Sequence, residues 1–526
     1  MDTAKILVAD PISERGVEML RRNPAFHVDV NTGLKEDQLL QIIGHYDALI
    51  VRSQTKVNKL VIEAGKKLRV IGRAGVGVDN VDVDAATRRG IIVMNTPGGN
   101  TISTAEHTFS MMMALARNIP QAHGSMKAGK WDRKSFEGVE LYNKTLGIVG
   151  MGRIGSEVAR RAIAFGMRVL VYDPFLSLSR AKSLQVEVCE LDEIYSRSDF
   201  ITVHVPMTDE TRGMINRDTI AKMKDGVRLI NCARGGIINE KDLSDAIRSG
   251  KVAGAALDVY EVEPPKDSPL LTLDAVIMTP HLGASTEEAQ EAVGIEVAEQ
   301  IADVLAGGTI RNAVNMPTID AKVLEKLRPV LAFGETMGRL LAQLAPSRID
   351  RLTIEFLGKA AEWETNPIQR AILKGFLEKS QGADVNYVNA PYVADNLGIR
   401  IEETKTAESE DYTELISVRA DGHSVAGTFY GSFNNPRIVR INDMPVEAVP
   451  AGVLFMMRNK DRPGVVGWIG TIMGKHKINI AGMSLGRDKE GGQALTVLNL
   501  DSAPSDAALA EIKSDKDILD VKVAKL

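Results

Sequence analysis

Three segments of this chain carry side chains suited to moving a proton and holding an anion: Asn231-Cys232-Ala233-Arg234-Gly235-Gly236, Asp258 through Pro265, and Thr279-Pro280-His281-Leu282-Gly283-Ala284-Ser285. An imidazole titrates near neutrality and can accept the proton of an alcohol as hydride leaves its carbon. A carboxylate beside the imidazole orients it and raises its pKa. A guanidinium fork binds a carboxylate through two hydrogen bonds and polarises an adjacent carbonyl. The set therefore suits interconversion of a hydroxy acid and an oxo acid. Eight histidines are present. His27, His45 and His123 have polar surroundings, His107 reads as a satisfied residue of an apolar helix, and His423 and His476 lie outside the α/β part. His204 and His281 remain, each following a strand, and His281 has the better company. Taken singly, an Arg or Glu at a strand end is usually a solvated rim residue. Three such groups in consecutive loops argue for catalysis.

The second feature is Gly150-Met151-Gly152-Arg153-Ile154-Gly155, which a strand precedes and a helix continues. Gly150 permits the tight turn, Gly152 lets the backbone approach a pyrophosphate, and Gly155 lets helix and strand pack closely. The following strand ends at Asp173, 18 residues after Gly155. A carboxylate there accepts hydrogen bonds from ribose hydroxyls and repels a 2′-phosphate. Pro174 and Phe175 follow with no adjacent base, so NAD is expected over NADP.

Short, almost continuously apolar runs with helical spacers supply the frame: Ile6–Ala9, Val28–Val30, Ala48–Val51, Arg69–Ile71 and Ile91–Met94, then Thr145–Val149, Arg168–Tyr172, Phe200–Val205, Arg228–Asn231, Gly254–Val259 and Val276–Met278. Such runs mark parallel strands covered on both faces. Two doubly wound α/β units in tandem are expected, with helix Thr286–Ala306 packing back on the first. Beyond Pro317 the texture turns to two helices and alternating strands such as Arg351–Leu357 and Leu415–Ala420. From Gly452 the order β-α-β-β-α-β predicts a ferredoxin-like plan. The expected division is 1–98 with 288–316, 99–287, 317–450 and 452–526.

Composition sets the bounds. The chain has 526 residues, 44% hydrophobic and 25% charged, with 64 basic against 69 acidic side chains and a net charge of −5. No long basic run appears, so nucleic acid and anionic membranes are not expected partners. No apolar stretch reaches the length of a bilayer span. The chain enters a strand at once and carries only Cys189 and Cys232, which predicts a reducing, cytoplasmic setting without a signal peptide. No Cys/His cluster has metal spacing.

The glycine turn with Asp173, the Asn231–Gly235 segment, Asp258-Val259-Tyr260 through Pro265 and Pro280–Gly283 resemble the D-isomer-specific 2-hydroxyacid dehydrogenases over about residues 4–315. Val51-Arg52-Ser53, Gly72 through Asn80 and Asn95 through Asn100 narrow the likeness to members that oxidise 3-phospho-D-glycerate for serine synthesis. The last two textures fit an intervening domain, of the kind that binds substrate allosterically, and an ACT domain. The resemblance implies a flavodoxin-like substrate unit and a Rossmann NAD unit. It makes His281 the general acid/base, Glu263 its partner, and Arg234 the clamp on substrate. Arg153 and Ile154 would lie against the pyrophosphate and Asp173 on the ribose. Cys232, Ala233, Arg234 and Asp258 would lie near the nicotinamide, with Val76, Val205, His281, Gly283 and Ala284 completing the cofactor contacts. Arg52, Ser53, Arg73 and Asn100 are its candidates for the substrate's anionic groups. A homotetramer is also implied.

The loop Arg458 through Gly467 feeds a helix whose N-terminus can hold a carboxylate. Asp461 is placed to pair with an α-ammonium group and Asn479 to bridge a small amino acid; these positions resemble the ligand-binding ones of ACT domains in serine-inhibited members of the family, and the resemblance implies L-serine as an effector. An Asp before Pro-Gly is also ordinary turn chemistry. Two other readings stand beside the main one: an enzyme for glyoxylate, hydroxypyruvate or 2-hydroxyglutarate, and a dinucleotide-sensing scaffold.

Overall fold

The computed structural model describes residues 3–317, 321–346, 348–409 and 411–526. Five strands, β1 (Ala4–Val8), β2 (Phe26–Val30), β3 (Ala48–Val51), β4 (Val70–Arg73) and β5 (Ile92–Asn95), form a parallel sheet in the order β2-β1-β3-β4-β5. This is the flavodoxin-like winding. All four residues of β3 are buried, as its unbroken Ala-Leu-Ile-Val run requires of a strand covered on both faces.

Seven strands form the second parallel sheet: β6 (Thr145–Val149), β7 (Arg168–Tyr172), β8 (Glu187–Val188), β9 (Phe200–Val203), β10 (Val227–Asn231), β11 (Val252–Leu257) and β12 (Val276–Met278), in the order β12-β11-β10-β9-β6-β7-β8. The order reverses between β6 and β9, where open α/β sheets take their ligands. The two-residue β8 is the one strand the hydrophobic pattern does not announce, because both its side chains are exposed.

Two helices tie the units together. Thr101–Ala116 leaves the first sheet and packs on the second, burying Phe109, Met112 and Leu115. Glu287–Leu305 returns to the first sheet, as expected, and buries Val293, Val297, Ala298 and Ile301 against it. A fully buried Val or Ile contributes about 1.5–3 kcal/mol, so this return is well anchored. Its N-cap Thr286 lies five residues past His281, and its side chain accepts from the Ala289 N–H.

The third sheet is mixed: β13 (Arg351–Gly358), β14 (Arg400–Thr406), β15 (Glu414–Ala420), β16 (His423–Phe429), β17 (Pro436–Ile441) and β18 (Met444–Ala448), with only β13 and β14 parallel. Helices Ala321–Leu344 and Thr365–Gln381 pack with it. The fourth is antiparallel: β19 (Val453–Lys460), β20 (Ile480–Arg487), β21 (Gln493–Leu500) and β22 (Ile518–Lys525), in the order β20-β21-β19-β22. One of its faces carries helices Val465–Lys475 and Asp506–Lys513. The other buries Leu454, Met456, Leu495, Val497 and Ala524 in the same core as Leu340, Leu341 and Leu344, so the two C-terminal sheets share one hydrophobic interior. Among the described residues, no helix is long and apolar enough to cross a membrane.

Candidate active site

The glycine turn forms where β6 ends, and each glycine has a separate physical reason. Gly150 has φ +95°, and a Cβ there would lie 2.6 Å from the His204 carbonyl oxygen. A Cβ at Gly155 would lie 2.2 Å from the Gly150 carbonyl oxygen, so helix Arg153–Ala164 could not seat on β6. Gly152, the N-cap, faces open space with no atom within 4 Å. That space, with the helix N–H groups beside it, suits a pyrophosphate. Asp173 folds back on the turn: its Oδ2 accepts from the Met151 N–H at 2.7 Å and its Oδ1 from the Phe175 N–H at 2.8 Å. Each oxygen keeps a lone pair for a hydroxyl donor.

His281 stands after β12 with φ +56°, a left-handed conformation uncommon for a residue with a side chain. Its Nδ1 meets Glu263 Oε2 at 2.9 Å, while Glu263 Oε1 accepts from the Tyr260 N–H at 3.2 Å. The hydrogen bond to Glu263 raises the His281 pKa; burial and the Arg234 charge oppose that, and the Glu263 and Asp258 charges add to it. Among the described residues Nε2 has no partner. His204 differs in every respect. Burial pushes its pKa down to about 4, and its Nε2 is taken by Thr202 Oγ1 at 3.0 Å.

Asp258 is fully buried, and its carboxylate is saturated. Oδ1 accepts from Thr279 Oγ1 at 2.6 Å and from the Leu282 N–H at 2.7 Å; Oδ2 accepts from the Gly283 N–H at 2.8 Å. His107 Nε2 lies 3.2 Å from Oδ1 and 3.1 Å from Thr279 Oγ1. Burial alone would raise the Asp258 pKa, but the hydrogen bonds, with His107 foremost, hold it below the usual carboxylate range. His107 is a satisfied interior residue, as the sequence suggests, and it is satisfied by the loop that carries His281.

Two adjoining cavities meet at Arg234 and His281. The larger, about 800 Å³, is lined by Arg52, Ser53, Arg73 and Glu263 as well. Burial and the neighbouring charges of Arg234 and Arg52 push the Arg73 pKa down to about 10, and its buried Nε has no partner among the described residues. Three guanidinium groups thus crowd one cavity, an arrangement that calls for an anion. The smaller, about 450 Å³, is lined by Val76, Ile154, Val205, Cys232, Ala233, Asp258, Gly283 and Ala284. Asn100 lines this smaller cavity rather than standing with Arg52 and Arg73, and its buried Oδ1 is unpartnered. Burial raises the Cys232 thiol pKa to about 12, so it stays a neutral wall.

Several supports escape sequence reasoning. Buried Asp10 accepts from the Arg52 N–H at 2.6 Å, the Thr55 N–H at 3.1 Å and Thr55 Oγ1 at 2.6 Å, and so shapes the arginine loop. Asn80 Nδ2 donates to the carbonyls of Arg52 and Thr55, each at 2.7 Å. Asn231 braces the turn before Arg234, accepting from the Ala233 N–H and donating to the Arg234 carbonyl. Asn80 and Asn231 at least lie inside recognisable motifs; Asp10 gives no signal beyond an acid at the end of a buried strand.

Residues 109–283 match the NAD binding domain of the D-isomer specific 2-hydroxyacid dehydrogenases, residues 326–442 the D-3-phosphoglycerate dehydrogenase intervening domain, and residues 453–517 the ACT domain. The chain is 47% identical to a D-3-phosphoglycerate dehydrogenase of Synechocystis sp., covering 99% of this chain and 95% of the relative. It is 47% identical to that of Methanocaldococcus jannaschii (99% and 100%) and 44% identical to that of Bacillus subtilis (99% and 99%). This chain belongs to the D-3-phosphoglycerate dehydrogenase family. Its first two sheets resemble solved structures of family relatives: a glyoxylate reductase from Paecilomyes thermophila (32% identity, TM-score 0.56, 60% of this chain and 99% of that one) and a D-lactate dehydrogenase from Aquifex aeolicus complexed with NAD and lactic acid (30%, 0.52, 58% and 96%). The family's nucleotide, NAD, fits the glycine turn and the smaller cavity beside it.

In the fourth sheet the two effector candidates do not meet. Asp461 follows β19, and its Oδ2 accepts from Arg487 Nη1 and the Gly491 N–H, each at 3.1 Å. Asn479 precedes β20 and donates to Asp501 Oδ2 at 2.8 Å. Ile480 pairs with Leu500 beside Val453, whereas Lys460 pairs with Gln493. The two side chains therefore stand at opposite ends of the sheet.

Proposed function

We propose that this enzyme oxidises 3-phospho-D-glycerate to 3-phosphohydroxypyruvate with NAD, the step that opens the phosphorylated route to L-serine. The convergence of Arg52, Arg73 and Arg234 in one cavity walled by the His281–Glu263 pair carries this reading, because the substrate bears a phosphate and a carboxylate at opposite ends. Arg234 clamps the carboxylate and polarises the developing carbonyl, while Arg52, Arg73 and Ser53 take the phosphate. His281 Nε2 accepts the hydroxyl proton, and Glu263 holds the imidazole by Nδ1 and stabilises the imidazolium that forms. NAD, when bound, accepts the hydride. Gly150, Gly152, Arg153, Ile154 and Gly155 cradle its pyrophosphate and Asp173 its ribose. Val76, Val205, Cys232, Ala233, Asp258, Gly283 and Ala284 wall the nicotinamide end, and Asn100 joins them on the cofactor side of the cleft.

A panel of 2-hydroxy and 2-oxo acids in steady-state assays tests the reading. The highest kcat/KM should fall on the phosphorylated acid. A higher value for glycerate, glyoxylate or 2-hydroxyglutarate would reassign the arginines. A dinucleotide-sensing scaffold would need no base paired to a carboxylate at the cavity wall, and no turnover on the whole panel would favour it.

Asp173→Ser should weaken NAD binding and narrow the NAD/NADP preference, since the carboxylate that repels a 2′-phosphate is gone. Equal use of both nucleotides by the unaltered enzyme would remove Asp173 from that role. A cytoplasmic location fits a chain with two cysteines, both free thiols. A homotetramer would have exposed apolar side chains to use at Ile119, Met126 and Trp131 and, on edge strand β20, at Met483 and Leu485.

Serine regulation needs two chains, because Asp461 and Asn479 lie at opposite ends of one sheet. Antiparallel pairing of two such sheets would bring Asp461 of one chain toward Asn479 of the other. L-serine should then inhibit, and Asp461→Ala or Asn479→Ala should remove inhibition while sparing catalysis. Calorimetry without a serine signal at millimolar concentration would leave the domain as an assembly module.

A further inference from the structure

Arg234 is held from across the cleft. Its Nε donates to Asp79 Oδ2 at 3.1 Å and its Nη1 to the Ala233 carbonyl at 2.7 Å. Asp79 sits in the loop after β4 and Arg234 in the loop after β10, so this ion pair spans the two α/β units. It crosses at the boundary of the two cavities, both of which Asp79 lines. Gly77 gives it room: a Cβ there would lie 1.9 Å from Arg234 Nη2 and 2.6 Å from Asp79 Oδ2.

The pair is poorly placed to stabilise the fold. The Asp79 side chain is 69% exposed against 28% for Arg234, and exposed ion pairs add little to stability. Its effect is on geometry. With Nε and Nη1 each engaged, the plane of the guanidinium is fixed, and the remaining Nη protons are the ones a ligand can use. We infer that Asp79 is a positioning residue for the substrate reaction: it orients Arg234 for the substrate's carboxylate and straps the two units together at the reacting end of the cleft. The inference rests on Arg234 being the carboxylate clamp. A different role is open to an acid in this place, that of tempering the positive charge of Arg52, Arg73 and Arg234. The two roles predict opposite signs. Removing an orienting group weakens use of the substrate, whereas removing a neutralising charge strengthens anion binding.

A double-mutant cycle in the full-length enzyme decides between them, with Asp79→Ala and Arg234→Lys assayed singly and together on 3-phosphoglycerate and NAD. Asp79→Ala should lower kcat/KM about 10- to 100-fold, the range for a hydrogen bond to a charged group, with the melting temperature and the KM for NAD unchanged. Asp79→Glu should recover part of the loss. In the Arg234→Lys background Asp79→Ala should cost nothing more, because a lysine ammonium has no plane for Asp79 to orient. Should the lysine variant turn over too slowly, the same cycle is read from the dissociation constant of oxalate, a carboxylate ligand without phosphate, in the presence of NADH. Equal cost in both backgrounds, no cost in either, or a lowered KM for the acid overturns the inference. A wild-type kcat/KM in Arg234→Lys alone would instead overturn the clamp assigned to Arg234.

Discussion

Replacing His281 with alanine is expected to lower kcat by about two to four orders of magnitude, the range for losing a positioned proton-transfer group, with NAD affinity near its original value. The proton is expected to go to Nε2, since Nδ1 is taken by Glu263 at 2.9 Å. The Glu263 hydrogen bond raises the imidazole's pKa, so the catalytic limb of the oxidation rises with pH through that raised value, where the imidazole becomes neutral. Glu263→Gln removes both the charge and the strongest acceptor, and the limb should move to lower pH with a milder loss in kcat. The sign for stability is the reverse of the sign for oxidation. A raised folded pKa stabilises fully below the unfolded value of about 6.5 and loses that contribution as pH climbs through the folded value. Because the imidazole is half-exposed, that contribution is small, and the pH profile of kcat is the measurement to make. Near-unchanged turnover in His281→Ala would turn attention to His204, yet burial holds that ring neutral down to about pH 4 and Thr202 occupies its Nε2.

What sequence can show here is local. The apolar runs announce eleven of the twelve strands in the first two sheets, and they miss β8 because both its residues are exposed. The glycine turn is legible because each glycine answers a steric demand set by its immediate neighbours, Gly150 against His204 and Gly155 against Gly150. His281 is legible because it follows a strand of the nucleotide sheet, whereas the strand pattern leaves Asp258, Glu261 and Glu263 equal as its carboxylate partner and only the family resemblance points to Glu263, the one that meets Nδ1 at 2.9 Å.

What is not legible depends on a partner far along the chain or on the direction of a side chain. Asp10 shapes the Arg52 loop from 42 residues away, and Asp79 reaches Arg234 across 155. Asn100 sits among motif residues, yet helix Thr101–Ala116 starts from it and turns it to the smaller cavity. Asp461 and Asn479 look like two halves of one amino-acid site until the strand register puts the length of β19 between them. A third C-terminal unit and a fourth are visible as changes of texture, but their common interior is not, because Met456 and Val497 read as ordinary strand residues whichever domain covers them.

Asp258 shows how far such a hidden partner can matter, and Asp258→Ala is expected to lower kcat by about a hundredfold although the residue need never touch the substrate. Its carboxylate is the common acceptor for the Thr279 hydroxyl and for the N–H groups of Leu282 and Gly283, which bracket the loop on which His281 holds φ +56°. Alanine would leave the Leu282 and Gly283 N–H groups without their acceptor, at about 1–3 kcal/mol each, while the Thr279 hydroxyl keeps His107 at 3.1 Å, and the two N–H groups can regain hydrogen bonds only if the loop moves. A catalytic group displaced by about 1 Å can cost two orders of magnitude. Thr104 Oγ1, which donates to the Gly283 carbonyl at 3.1 Å, and Tyr260 Oη, which donates to the Thr279 carbonyl at 2.7 Å, would still hold the loop's two ends. The enzyme should therefore stay folded, with a lowered melting temperature and a turn at Gly150–Gly155 that still binds NADH. Asp258→Asn keeps one acceptor oxygen and should fall between, with the His281 limb of the pH profile moved to lower pH because the Asp258 charge helps to raise that pKa. If Asp258→Ala lost only thermal stability and kept its kcat, the conformation of His281 would have to be fixed by Glu263, Tyr260 and Thr104 without Asp258.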